Sequence, residues 1–526
     1  MIEQLRFDNR FITELPGDPE TSNTVRQVNG ACYSLVDPAP VSAPELVAYS
    51  REAAAELDLT EQDCRSRLFA EVFSGNSTLP SMKPYAMCYG GHQFGTWAGQ
   101  LGDGRAIILG EILNRTGERR VLQLKGAGLT PYSRSADGLA VLRSSLREFL
   151  CSEAMHHLGI PTTRALSLIL TGDQVVRDMF YNGNPKNEPG AVVCRTSPSF
   201  IRFGNFEILA DRKEQELLEQ LIHYTIKTDF PELDFKPDVD TYLQWFTQIC
   251  RRTAEMITGW MRTGFVHGVM NTDNMSVLGL TIDYGPYGWL EGYDPAWTPN
   301  TTDASGRRYC YGNQPYAAQW NLAQFANALY PVIKDEKGMQ AALDQYRLTF
   351  QEQWSRALRD KFGFRTREKD DDKLISSALE LLTKTETDMT IFFRSLADIS
   401  MNEKSTDALF NTISAAHYKP DELDDGYTSE MRDWLELYRL RLLRNDNTDA
   451  ERRTAMNRVN PKYVFRNYLA QQAIDNVAAG DFSMVDELLE LFRHPYEEQP
   501  EFEHYAVKRP EWARHKPGCS MLSCSS

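Results

Sequence analysis

The chain has 526 residues, 42% of them hydrophobic, and a net charge of −16, with a pI near 5.2. That is core enough for more than one domain or lobe, and the acidic balance opposes a broad nucleic-acid or anionic-membrane surface, so any phosphate site has to be assembled locally. The nine cysteines are scattered, odd in number and never spaced Cys-x-x-Cys, which points to neither a disulfide framework nor a zinc site and fits a reducing compartment. The N-terminal MIEQLRFDNRFITELPGD lacks the apolar core of a signal peptide, and no uncharged apolar run reaches membrane-spanning length. The expectation is a soluble, cytoplasmic protein, mitochondrial if the source is eukaryotic, with nothing demanding an oligomeric partner.

In chain order, residues 1–80 mix short helical stretches such as APELVAYSREAAAELDL with Pro-containing connectors, and read as an extension wrapped on something larger. From 81 to 207 the pattern changes. GRAIILGEIL and RRVLQLKGAG are strand-like runs joined by the turn signal NRTGE, a hairpin by its spacing. GLAVLRSSLREFLCSEAMHHLGI then carries Leu139, Leu142, Leu146, Phe149 and Leu150 at helical spacing and ends at Gly159 and Pro161. RALSLILTG and GAVVCRT predict further strands. Strand, Lys-bearing strand, helix, strands is the order of a kinase-type N-terminal lobe. Residues 208–494 predict mostly helix, from runs such as TYLQWFTQICRRTAEMITGWMRTG and DEKGMQAALDQYRLTFQEQWSRAL. Within them TREKDDDK (366–373) reads as a solvated loop, and 495–526 as a mobile or surface-laid tail.

The stretch YGGHQFGTWAGQLGDGRAIILGEI (89–112) places Gly95, Gly99, Gly102 and Gly104 before and at the opening of a strand. Bare Cα atoms there let backbone N–H groups approach a phosphate chain; the plain alternative is a loop needing positive φ. No Gly-x-x-x-x-Gly-Lys-Ser/Thr occurs, which disfavours a P-loop NTPase. Lys125 closes an apolar strand and needs an anionic partner if buried, a phosphate or a carboxylate such as Glu148; the bland reading is an edge-strand lysine in solvent. Arg195 and Arg202 suit a bidentate grip on phosphate oxygens or ordinary ion pairing at a lobe junction. Asp137-Gly138 reads by default as a turn and N-cap.

The stretch HGVMNTDN (267–274) carries the sharpest question. Kinases run His-x-Asp, four residues, then Asn, with the Asp taking the substrate's proton and the Asn on a metal. Here Val269 holds the acid's place, and Asp273 stands directly before Asn274. His267 is expected to orient its own loop. SVLGLTIDYGPYGWLE follows, read as an apolar strand delivering Asp283 into Tyr-Gly as kinases deliver the Asp of Asp-Phe-Gly. Asn274 and Asp283 together suit Mg²⁺, which takes few protein oxygens and completes its shell from phosphate and water.

Together these residues resemble the SelO (selenoprotein O, or YdiU) family, pseudokinases that act as protein adenylyltransferases. The resemblance covers nearly the whole chain, through MKPYAMCYGGHQFGTWAGQLGDGRA, QLKGAGLTPYSRSADGLAVLRSSLREFL, GVMNTDNMS, IDYGPYGWLE and the terminal Cys-Ser-Ser. It implies an α+β, two-lobed, protein-kinase-like fold with ATP bound in reversed orientation, its α-phosphate facing the attacking hydroxyl. The implied activity is transfer of AMP to Ser, Thr or Tyr side chains of proteins, with release of pyrophosphate. By position, Gly102, Gly104 and Arg105 would bind the nucleotide and Lys125 the phosphates, steadied by Glu148. Asp137, Gly138, Arg195 and Arg202 would also contact ATP. Asn274 and Asp283 would hold Mg²⁺ or Mn²⁺, and Asp273 would accept the proton. Cys524 stands where some relatives carry selenocysteine, and an exposed thiol there is a candidate redox handle. Two rivals stay open on the residues: a true kinase using Asp273 for γ-phosphoryl transfer, and a non-catalytic pseudokinase that binds ATP to hold its shape.

Overall fold

The computed structural model describes residues 2–180, 182–519 and 521–523. Among them are β1 (Tyr33–Leu35), β2 (Glu45–Tyr49), β3 (Tyr85–Met87), β4 (Gly90–Gln93), β5 (Thr96–Gln100), β6 (Ala106–Leu113), β7 (Arg119–Lys125), β8 (Arg164–Arg177), β9 (Lys186–Ser197), β10 (Phe265–Val266) and β11 (Gly288–Trp289). Seven build one antiparallel sheet in the order β1-β3-β6-β7-β9-β8-β2; β4–β5 and β10–β11 are separate two-stranded pairs. After β9 the chain is mostly helical, so the architecture is mixed, an antiparallel sheet with many helices. No described helix is long and apolar enough to cross a membrane.

Strand parity sorts the interior. Ile107, Leu109, Leu122, Leu124, Val192 and Cys194 pack under one face of the sheet with Phe69, Val72 and Phe73. Ile108, Val121 and Val193 join the larger core on the other face, with Leu146, Phe149 and Leu150 of the helix Leu142–His157. Gln123 and Lys125 follow Val121 at intervals of two, and Gln123 lies opposite Arg195 in the β7–β9 register. The second face therefore turns from apolar to charged toward the end of β7.

The predicted hairpin is β6–β7, but other expectations are corrected. In APELVAYSREAAAELDL the segment Glu45–Tyr49 is a strand, because its backbone completes the edge beside β8, and helix begins only after the Ser50 cap. Residues 1–80 thus supply β1 and β2 to the sheet itself. The helix bearing Glu148 starts at Leu142, since Leu139 and Val141 stay extended in bridges to Ala127 and Gly190; its N-cap is Val141, not Asp137. SVLGLTI is irregular rather than a strand, tied down by Val277 N–H on the Ile201 carbonyl and by Thr281 bridged to Thr162. The run 366–373 is not wholly solvated: Asp371 opens the helix Asp371–Lys384, is buried, and pairs with Arg441 at 2.5 Å. The tail is laid down on the body, with Tyr505, Ala513, Cys519 and Leu522 buried and Arg509 and Arg514 paired to Glu386. The eight described cysteines are all buried; Cys524 lies outside the described residues.

Candidate functional site

A cleft of about 410 Å³ opens where the charged end of the sheet meets the loops after residue 267. Its lining brings together Gly102, Gly104, Arg105, Lys125 and Arg195 with Val269, Asp273, Asn274 and Asp283. Gly102 has φ +72° and lies on the Tyr132 ring; Gly104 lies on the Tyr132 carbonyl. A side chain at either would be driven into that neighbouring turn, so the backbone here runs as close as glycine permits. Lys125 ends β7 and reaches Glu148 at 2.5 Å, so the lysine expected to need an anion has one within the fold.

Glu148 is shared. Its other oxygen takes Arg195 at 2.9 Å, and Arg195 also donates to Asp283 at 2.5 Å and to the Gln123 amide oxygen. Arg202 closes the cluster on the second oxygen of Asp283 and on the Asp273 carbonyl, with its guanidinium over the Tyr89 ring. Three cations thus share two carboxylates. Burial would raise the Asp283 pKa, but Arg202, Arg195 and Lys125 outweigh it and hold the group well below the usual carboxylate range. Burial lowers the Lys125 pKa, against the pull of Glu148. With three cationic side chains to two carboxylates, the cluster gathers more basic than acidic groups in a site the net charge of the chain does not foretell.

Asp273 is bonded quite differently. It sits in the short turn Thr272–Asn274, buried, with Oδ1 lacking a hydrogen-bond partner among the described residues and Oδ2 3.5 Å from the Gln93 amide. Burial pushes its pKa up to about 7, only partly offset by Arg202. A carboxylate so poised is suited to taking a proton near neutrality. Asn274 donates its amide to the Val269 carbonyl at 2.8 Å, which leaves its Oδ1 as the donor for a cation. That oxygen and the ionised Asp283 carboxylate form an all-oxygen set with a single formal charge, which fits a hard divalent ion that keeps water and phosphate as its other ligands. A grouping of Glu52, Glu153 and His157 also gathers donor atoms, but Arg493 and Arg164 already balance its two carboxylates.

His267 does more than orient its own loop: buried, it places Nε2 3.0 Å from the Ile282 carbonyl and so ties HGVMNTDN to the turn that delivers Asp283. Asp283 itself holds φ +57°. Asp137 and Gly138 stand outside the lining. Asp137 binds Arg177 at 2.7 Å, and Gly138 packs on Gly128, while Ser133, Arg134 and Ala136 of the same loop do face the cleft. Glu148 and Arg202 act from behind the lining through their ion pairs. Gly95 and Gly99 do not line it: the stretch read as a phosphate loop is the hairpin β4–β5, and Gly95 lies under the Arg308 guanidinium. Sequence reasoning missed Gln123, Asp103 and Gln93. For Gln123 the signal was available, since it lies two residues before Lys125 on a strand.

Residues 20–493 match the family described as "Protein adenylyltransferase SelO". Among curated proteins, the chain is 57% identical over 522 residues to "Protein nucleotidyltransferase YdiU" of Methylobacillus flagellatus, covering 99% of this chain and 100% of that one. It is 57% identical over 533 residues to the protein of the same name from Aromatoleum aromaticum, and 56% over 540 residues to that from Rhodopirellula baltica, with 100% of each chain covered.

Proposed function

The chain belongs to the protein adenylyltransferase SelO family, and from that premise we propose that it moves AMP from ATP onto Ser, Thr or Tyr hydroxyls of other proteins and releases pyrophosphate. One observation carries the reading: a cluster with more basic than acidic groups faces an under-bonded carboxylate across a single cleft, and Val269 occupies the place where a kinase keeps its acid. A base set for γ-transfer is not needed if the nucleotide lies the other way round, with its innermost phosphorus toward Asp273.

In this reading the acceptor O–H gives its proton to Asp273, and the oxygen forms a bond to the α-phosphorus. The bond from that phosphorus to its bridging oxygen breaks, and pyrophosphate leaves with the electron pair. Arg105, Lys125 and Arg195 meet the negative charge spread over the phosphates, the main way such transfers are accelerated, and Arg202 supports them from behind through Asp283. Mg²⁺ or Mn²⁺ on Asn274 and Asp283 supplies, when bound, further neutralisation of that charge. Asp137 and Gly138 shape the loop that presents Ser133, Arg134 and Ala136 and so act on ATP at one remove. We further propose a two-lobed, kinase-like division of labour, with residues 1–80 packed on a strand-rich lobe over 81–207, a helical lobe over 208–494 and the tail over 495–526, in a cytoplasmic monomer.

The test uses ATP labelled at either the α- or the γ-phosphate. The α-label is expected on acceptor proteins or on the enzyme itself, with intact mass rising by one AMP. Transfer of the γ-label would overturn the reading in favour of a kinase, and no transfer of either would favour a scaffold.

A further inference from the structure

We infer that Glu207, Thr272 and Gly91 form a positioning device that fixes the Asp273 carboxylate, an inference that rests on Asp273 being the proton acceptor. The hairpin β4–β5 leaves the sheet and lies against the turn Thr272–Asn274. The His92 backbone N–H donates to Thr272 Oγ1 at 2.7 Å, the Thr272 hydroxyl donates to Glu207 Oε2 at 2.5 Å, and Glu207 Oε1 lies 2.9 Å from His92 Nδ1. The three residues close a ring that joins hairpin, helix and loop. One residue earlier, Asn271 Oδ1 accepts from the Phe94 N–H at 3.1 Å and from the Tyr309 hydroxyl at 2.9 Å, a second tie on the same segment.

Glu207 is 4% exposed, and among the described residues its one ion-pair partner is His92. Burying a carboxylate with so little counter-charge is costly, and a fold that needed only packing would place an apolar residue there. What the carboxylate obtains in return is a fixed Thr272, itself fully buried, directly before Asp273. The helix carrying Glu207, Phe203–Asp211, is seated on the strand it must reach: Gly204 lies against the Gly90 carbonyl with no room for a Cβ, and Asn205 donates to the Cys88 carbonyl at 2.9 Å.

Gly91 completes the device. A Cβ on it would stand 2.7 Å from Asp273 Oδ1 and 2.9 Å from Asp273 Cβ. Its backbone is not in the left-handed region, so space alone demands glycine. Asp273 is thereby held by contact and by its tethered neighbour, with the long Gln93 contact on Oδ2 as its side-chain hydrogen bond, and Oδ1 has no donor among the described residues. That is what a base requires: fixed direction without a satisfied lone pair.

The test measures α-label transfer and Mg–ATP binding by calorimetry in wild type, T272V, T272S, E207Q and G91A. T272V and G91A are expected to lower kcat about 10²-fold, the scale of an ångström-sized misplacement, with ATP affinity within about threefold of wild type. E207Q should lower kcat roughly tenfold, and T272S, which keeps the hydroxyl, should recover most of what T272V loses. Wild-type kcat in T272V and G91A, or an equal loss of ATP binding and kcat in both, would overturn the inference. If T272V fails to fold, G91A decides alone, because alanine suits its backbone. Wild type that transfers no AMP would sink the underlying reading instead, and the two failures are distinct.

Discussion

On one wall of the cleft, Lys125 and Arg195 stand on neighbouring strands and Glu148 on a helix packed across them, and each cation meets a carboxylate within 3 Å. On the other wall, Asp273 and Asn274 share a single short turn, and Asp273 Oδ1 has no hydrogen-bond partner among the described residues. The first wall is saturated with its own ion pairs, which in the proposed function would be exchanged for phosphate; the second is short of partners and held in place from behind. The proposed function would thus place binding and chemistry on parts of the chain with different mechanical support, and Asp283, paired to both Arg195 and Arg202, is where the walls meet.

That contrast can be broken most severely at the meeting point. Asp283→Ala removes an anion shared by two buried arginines along with a proposed metal ligand, and should cut α-label transfer at least ~10⁴-fold while lowering the melting temperature. Asp273→Asn isolates the loop wall: transfer should fall about 10³-fold with ATP affinity unchanged, because only the proposed proton acceptor is lost. An equal loss of affinity would blur the two walls. Lys125→Met isolates the sheet wall, with transfer down about 10²-fold, a higher KM for ATP, and roughly 3 kcal/mol of stability lost in denaturant unfolding because Glu148 is left with one partner fewer. Asp137→Ala is the mildest. Its partner Arg177 forms a half-exposed pair, so KM for ATP should rise less than about threefold and kcat should hold; a large fall in kcat would move Asp137 into the cleft.

The sheet wall was legible because strand and helix periodicities are local. Lys125 closing VLQLK and Glu148 in mid-helix are each visible within a dozen residues, and their pairing follows from burial. The loop wall was legible only in part. HGVMNTDN announces itself, but its support does not, since the hairpin that clamps it lies about 180 residues earlier in a stretch whose glycines suggest a phosphate loop instead. Gly91 earns its place against a side chain it meets only in three dimensions. Glu207 looks like any polar position in GNFEILA, and nothing near it in sequence marks it as the anchor of Thr272. SVLGLTI has strand composition yet pairs into no ladder, and tertiary ties at Val277 and Thr281 hold it instead.

Strand β7 also sets a limit on how this protein tolerates change. Its odd-numbered residues end in the charged cluster, while Leu122 and Leu124 sink into the oil beneath. A one-residue insertion between Val121 and Lys125 would exchange the two populations at a stroke, pushing an ammonium into hydrocarbon and turning leucine toward the cleft. The reading frame of those five residues is accordingly a stricter requirement than the identity of any one of them.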